Sequence, residues 1–242
     1  MSEVVHIGIP LYKGFDSLDV IGPYQVFSFT KGIKPHLIAE HNEVVSLEGV
    51  VIKPAYTFEQ YKSLSDANRM DILMVPGTGL QQAQAVMEHD EVYTDFIRQM
   101  VEELKTKPQQ HWPRITSVCA GSLLLAYAGA LEGHTVTTHW EMRDALRDLK
   151  GITLASGYPR FVQSGNVMTA GGVSAGIDMA LMLAGLISDY NTVCRTQLEM
   201  QYNPQPPFKS GDPTQVSPGF IDWPSVRQHA APVNAILKER LG

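Results

Sequence analysis

The 242-residue chain predicts a single α/β domain, a doubly wound and mostly parallel sheet with helices on both faces. Three observations predict it. Short β-rich apolar runs alternate with longer helical stretches, the pattern of strand–helix–strand units. Asp71–Val75 is solidly apolar and stops at Pro76-Gly77, as a strand buried on both faces does. Ile115–Val118 is a second such run, and it passes through Cys119-Ala120-Gly121 straight into the helical segment Ser122–Leu131. In such sheets, sites form beyond the carboxyl ends of the strands.

Taken in order, Val4–Pro10 reads as the first strand. A loop over Leu11–Asp19 follows, and Pro23 is placed to open a helix at its first turn. His36–Ala39 reads as the second strand, and Val44–Lys53 as a hairpin around Glu48-Gly49. Asp90–Leu104 has helical spacing, with Val92, Phe96, Met100 and Leu104 on one face. Val136–Thr138 and Ile152–Ala155 read as short strands around an amphipathic helix, Glu141–Leu149. Phe161–Thr169 forms a hairpin through Ser164-Gly165-Asn166. Ser174 is placed to cap a helix over Gly176–Ile187. Asn191–Tyr202 and Ser225–Leu241 are two further helices, separated by a loop rich in Pro, Gly and Asn.

Composition excludes several classes. Apolar residues make up 44% and charged residues 18%, which excludes a disordered chain. A net charge of -6 argues against nucleic acid or an anionic membrane as partner. No apolar run approaches a membrane span, and the first residues do not read as a signal peptide. Two cysteines cannot form a disulfide framework, and a reducing cytoplasm is the expected compartment.

Cys119 is the leading candidate for chemistry. A cysteine at a sharp strand-to-helix turn followed by small residues suits a nucleophile elbow. The helix N-terminus is expected to lower the thiol pKa. The competing reading is a small buried hydrophobe. The N–H groups of Gly77, Thr78 and Ala120 are candidate donors to a developing anion, if the two strands are neighbours. A plain glycine turn explains Pro76–Gly79 equally well. Asp19 stands among Leu18, Val20 and Ile21. Buried beside Cys119 it would have a raised pKa and serve as a proton donor, and otherwise it caps a helix. Asp16 is expected in solvent. His139 ends a short strand and either orients or deprotonates the thiol or caps the next helix. The histidines show no metal-ligand spacing, and neither Pro76–Gly79 nor Ala170–Gly176 matches a nucleotide-binding loop. No metal or cofactor is therefore expected.

Lys13–Asp19, Val75–Gly77, Ser117–Gly121, Thr137–Trp140 and Ala170–Asp178 occur in that order. Together they resemble the ThiJ/PfpI superfamily, with its flavodoxin-like, class I glutamine-amidotransferase-like fold, from about Val5 to Tyr202. Leu18–Pro23, Thr137–Trp140 and Glu199–Phe208 are similar to its isonitrile hydratase branch. The resemblance implies cysteine-dependent hydration of an isonitrile to an N-substituted formamide, with Cys119 as nucleophile and Asp19 as its acidic partner. It also implies a small-molecule substrate, no cofactor and a homodimer. The branch commonly has threonine after the cysteine, where this chain has Ala120. The Cys-Ala pair with His139 is closer to glyoxalase-like and stress-response members, which implies a second reading as a cofactor-independent thiol enzyme. A non-enzymatic cysteine redox sensor is a third. The α/β domain is expected over residues 4–202, with 203–242 a loop and helix packed on it. Trp140, Tyr158, Arg160 and Phe208 are candidate pocket residues.

Overall fold

The computed structural model describes residues 4–242. The chain begins with β1 (Val5–Leu11), α1 (Ser17–Phe29), β2 (Ile33–Ala39), β3 (Val44–Val45), β4 (Val51–Ile52), β5 (Tyr56–Thr57), α2 (Phe58–Lys62) and β6 (Ile72–Val75). Helices α3 (Leu80–His89) and α4 (Glu91–Thr106) lead to β7 (Ile115–Val118) and α5 (Gly121–Tyr127). Next come β8 (His134–Val136), a 3-10 turn over Trp140–Ala145, β9 (Ile152–Leu154), β10 (Phe161–Ser164) and β11 (Val167–Ala170). Helices α6 (Ala175–Ile187), α7 (Tyr190–Glu199) and α8 (Trp223–Leu241) complete it.

The main sheet has the order β10-β11-β7-β6-β1-β2-β5. All its pairings are parallel except β10 with β11. From β1 the chain winds outward through β2 to β5, then returns to the other side of β1 and winds out through β6, β7 and β11. The direction reverses between β1 and β6, so the loops leaving their carboxyl ends diverge and open a crevice. Every residue of β6 and β7 is buried, which explains why both runs are apolar or small without alternation. Helices α1, α6 and α7 pack together on one face, and α3, α4, α5 and α8 on the other.

Several elements differ from the sequence expectation. Helix α1 starts at Ser17 because the Asp16 carboxylate accepts from the N–H groups of Leu18 and Asp19. Pro23 therefore lies inside the helix rather than at its start. In α4 the buried stripe runs through Tyr93, Phe96, Ile97, Met100, Val101 and Leu104, and Val92 is exposed. Phe96, Met100 and Leu104 are buried as expected, and Asp90 caps the helix by accepting from Tyr93 N–H at 3.0 Å. The helix expected over Glu141–Leu149 is only the 3-10 turn. The carbonyls of Ala145 and Arg147 are taken by the Asn234 side chain of α8 at 3.0 and 2.9 Å, and Asp148 adopts φ 58. β8 begins two residues before the expected strand and pairs with β9 outside the main sheet. Ser174 precedes α6 without a capping bond from its side chain.

The hairpins form as expected, with Val44 opposite Ile52 and Ser164 opposite Val167. The first is held beside the loop after β1 by Leu47 N–H to Phe15 O and Gly14 N–H to Val45 O, both 2.8 Å. Ala230, Val233 and Leu237 of α8 are buried. Among the described residues no helix is long and apolar enough to cross a membrane.

Candidate active site

β7 ends at Val118, and Cys119 follows with φ 55. A residue with a side chain in this region is strained by about 1–3 kcal/mol and persists only where its surroundings over-determine it. Here both peptide groups are clamped. Cys119 N–H donates to the carbonyls of Ala170 (3.1 Å) and Gly171 (2.8 Å). Its carbonyl accepts from Ser122 Oγ and Thr138 Oγ1, each at 3.0 Å. The small residues after the cysteine are a packing requirement. A Cβ on Gly121 would fall 2.1 Å from the Val75 carbonyl oxygen, so the turn into α5 passes against the end of β6 with no room for a side chain.

The Asp16 cap sets the first turn of α1 so that Asp19 points inward, fully buried. Its Oδ2 accepts from Gly77 N–H at 2.8 Å, and its Oδ1 has no hydrogen-bond partner among the described residues. Gly77 is where the three loops meet. A Cβ there would lie 2.5 Å from Ala120 N, 2.6 Å from Cys119 Cβ and 2.8 Å from Asp19 Oδ2. The loops after β1, β6 and β7 thus bring Asp19, Gly77 and Cys119 together at the crevice.

Electrostatics oppose charge in this cluster. Burial pushes the Asp19 carboxyl well above the usual carboxylate range, with Asp16 and Glu48 adding to it and the Gly77 N–H opposing. Burial also pushes the Cys119 thiol well up. The carboxylates of Asp19, Asp16 and Glu141 reinforce that shift, and Ala120 N–H counters it. This corrects the expectation of a lowered thiol pKa. Cys119 is only 4% exposed, and the desolvation and nearby carboxylates outweigh one amide at the end of a short helix.

The remaining candidates divide. Gly77 N–H is taken by Asp19, so it is not free for a developing anion as expected. Thr78 is buried, and its hydroxyl donates to Gly14 O at 2.5 Å, which ties the loop after β6 to the loop after β1. Ala120 N–H faces the sulfur. His139 stands at the cap position of the 3-10 turn without a capping bond from its side chain. Its Nδ1 lies 3.6 Å from Glu141 Oε2, and burial lowers its pKa against the pull of Glu141 and Asp16. No hydrogen bond joins His139 to Cys119 among the described residues. Asp16, expected in solvent, is half-buried and caps α1, and its pKa is raised by burial. Thr138 and Ser122 were missed as supports of the elbow. The Thr-Thr-His-Trp motif carried that signal for Thr138.

A cleft of about 490 Å³ opens beside the elbow. Thr138, His139, Trp140, Tyr158, Arg160 and Gly171 line its inner side. Two of these, Thr138 and Gly171, bond directly to the Cys119 backbone. Phe208 is 78% exposed and lies outside it. Among the described residues no group of three His, Cys, Asp or Glu is placed to hold a metal ion.

An open parallel sheet with a strained cysteine at the β7–α5 turn and a buried carboxyl beside it defines a class of α/β thiol proteins. The chain belongs to the DJ-1/PfpI family, whose model matches residues 5–185. It is 35% identical over 229 residues to the isonitrile hydratase of Pseudomonas putida, across 94% of this chain and 91% of that protein. A ThiJ/PfpI family protein from Pseudomonas syringae superposes with a TM-score of 0.78 at 28% identity, covering 99% of this chain and 91% of the other. Drosophila melanogaster DJ-1beta shares the fold, with a TM-score of 0.67 at 20% identity over 83% of this chain and all of that one.

Proposed function

We propose that the protein hydrates an isonitrile to an N-substituted formamide through Cys119 and Asp19. One observation carries the reading: Asp19 is fully buried, anchored through one oxygen to Gly77, which abuts Cys119, and among the described residues its other oxygen is unpartnered. Similarity to the Pseudomonas putida hydratase supports it.

The raised Asp19 pKa keeps a proton on the carboxyl, which is what the chemistry needs. The isonitrile carbon must gain a proton as sulfur bonds to it. Asp19 delivers its proton to that carbon, Cys119 Sγ forms the C–S bond, and the thiol proton passes to the Asp19 carboxylate. The product is the thioimidate Cys119–S–CH=N–R. Water then adds to its carbon, nitrogen takes a proton, the C–S bond breaks and the thiol is restored. The sum is R–NC plus water to R–NH–CHO. A positioned general acid contributes about 10²–10⁴-fold. Ala120 N–H answers charge on sulfur during both steps, whereas the hydroxyl common at that position in the hydratase branch is missing.

The glyoxalase-like reading rests on the Cys119-Ala120 pair and His139. The lack of a hydrogen bond between His139 and the thiol favours the hydratase. A raised thiol pKa and near-complete burial also disfavour a peroxide sensor, since oxidation follows thiolate character and exposure. Formamide release from cyclohexyl isocyanide tests the proposal. Wild type is expected to turn over and Cys119→Ala to lose about 10⁴-fold or more. Equal rates in the two would retire it, and lactate formed from methylglyoxal would favour the second reading.

A further inference from the structure

The family match ends at residue 185, yet part of the cleft beside the elbow is built from chain beyond it. Ser210, Gly211, Asp212, Pro213 and Gln215 form its outer side, facing Trp140, Tyr158 and Pro159 across the opening. These residues belong to the strap between α7 and α8. From Pro204 to Phe220 its hydrogen bonds, among the described residues, stay within the strap: Gln215 N–H to Asp212 O, Thr214 N–H and hydroxyl to Asp212 Oδ1, and Phe220 N–H to Ser217 O. None crosses to the sheet or to the helices on it. Asp212, Pro213 and Val216 are half-buried, while the flanking Phe208 and Phe220 are exposed. The strap is therefore seated by packing of a few side chains, two of which line the cleft.

Among the described residues, the one cation in the cleft lining, Arg160, is already answered. Arg160 is paired with Asp178 and also donates to Ser174 Oγ at 3.3 Å. The other Asp178 oxygen accepts from Tyr202 OH at 2.6 Å. Asp212 keeps its charge, with Oδ1 turned to the N–H and hydroxyl of Thr214. Burial keeps His139 on the neutral side. The apolar part of the lining is Trp140, Tyr158, Pro159, Val173 and Pro213, with neutral polar side chains such as Ser210 and Gln215 beside it. A cleft of this size with an apolar wall of aromatic and proline rings and polar groups around it accepts a small organic group.

We propose that residues 210–215 are a specificity wall that holds an uncharged organic substituent against Trp140 and Tyr158, in the cleft adjoining Cys119. The inference takes from the hydratase reading only the identity of that substituent, as the group on the isonitrile nitrogen. Because no hydrogen bond ties the wall to the α/β body, its sequence can change without disturbing the elbow, which suits a determinant of substrate choice.

The test uses the full chain and N-cyclohexylformamide as probe, with binding followed by tryptophan fluorescence. Replacing 210–215 by a Gly/Ser segment of equal length is expected to weaken binding about tenfold or more, as is Tyr158→Ala. Phe208→Ala, outside the cleft, is expected to change it by less than about twofold. Should the Gly/Ser variant not fold, Pro213→Gly with Tyr158→Ala decides. Equal affinity in wild type and the wall variants, no saturable binding to wild type, or an equal loss in Phe208→Ala overturns the proposal. Turnover of cyclohexyl isocyanide, measured beside binding, speaks only to the hydratase reading. Wall-dependent binding without turnover retires that reading and keeps the wall, and turnover with wall-independent binding does the reverse.

Discussion

One buried pair of titratable side chains sits in the sheet and another just beyond its carboxyl edge, and they are built in opposite ways. His6 near the start of β1 and His36 in β2 meet with Nδ1 and Nε2 2.8 Å apart, both rings buried. Each is on a regular parallel ladder. Neutral imidazoles satisfy each other, one donating and one accepting. At the carboxyl ends, Asp19 and Cys119 share no hydrogen bond among the described residues. One carboxyl oxygen is orphaned, and the cysteine backbone is strained. Both pairs are held in their uncharged forms by burial, the histidines by lowered pKa values and the acid and thiol by raised ones. A pair that serves only the fold closes its hydrogen bonds. The pair proposed for chemistry leaves one carboxyl oxygen unpartnered and stores strain, and neighbouring loops must hold it in place.

The contrast can be broken most sharply at Asp19. Asp19→Asn is expected to lower hydration of cyclohexyl isocyanide by about 10²–10⁴-fold, because an amide cannot act as the acid. The same change is expected to leave the fold equally or more stable, since no carboxyl group then remains to be kept uncharged. The pH dependence gives the sign. A raised folded pKa means the folded state holds the proton more tightly, so Asp19 contributes stability below its unfolded pKa and that contribution is lost as pH rises through the folded value. Denaturant midpoints of Asp19→Asn should fall less than those of wild type over that rise. A variant that unfolds at much lower denaturant would contradict this account.

Next in size is Gly77→Ala, whose methyl group would press on all three loops at 2.5 to 2.8 Å. A displacement of this kind is expected to cost about 10²-fold in kcat/KM. An unchanged rate would mean that the close approach of these loops is not needed. Thr138→Val removes one of the two hydroxyls on the Cys119 carbonyl and should cost about 1 kcal/mol of stability, read by denaturant unfolding. It should also reduce turnover, since the elbow loses part of its clamp. The smallest effect is expected at the histidine pair. With His36 lowered from 6.5 to about 4, wild-type stability should decline as pH falls between those values, because the unfolded chain takes up protons that the folded one refuses. His36→Gln should show a shallower decline, and parallel curves would show that the pair is not the titrating element.

The strands beneath the site were legible because β6 and β7 lie between two helical layers, and a strand buried on both faces must be built from apolar or small residues. The elbow was legible for a related reason: Cys119-Ala120-Gly121 after such a strand leaves room for a turn pressed against the end of β6. Asp19 stood out as a carboxylate among apolar neighbours, although whether it capped α1 or entered the site was open. The structure answers that through Asp16, whose cap turns Asp19 inward. Elements off the sheet were less legible. The periodicity of Glu141–Leu149 is helical, but Asn234, almost ninety positions along the chain, takes the carbonyls a helix would use.

The order of residues along the chain by itself determined the winding of the sheet, the place of the cysteine at a strand end and the family pattern. These follow from local rules: burial selects composition, and sharp turns select small side chains. Only the tertiary structure decided which groups are charged. The thiol pKa is raised because the loss of water, reinforced by carboxylates from distant segments, outweighs the local amide. Gly77 N–H goes to Asp19 because the loops after β1 and β6 cross there. Protonation depends on distance and desolvation, which arise between segments far apart in the chain.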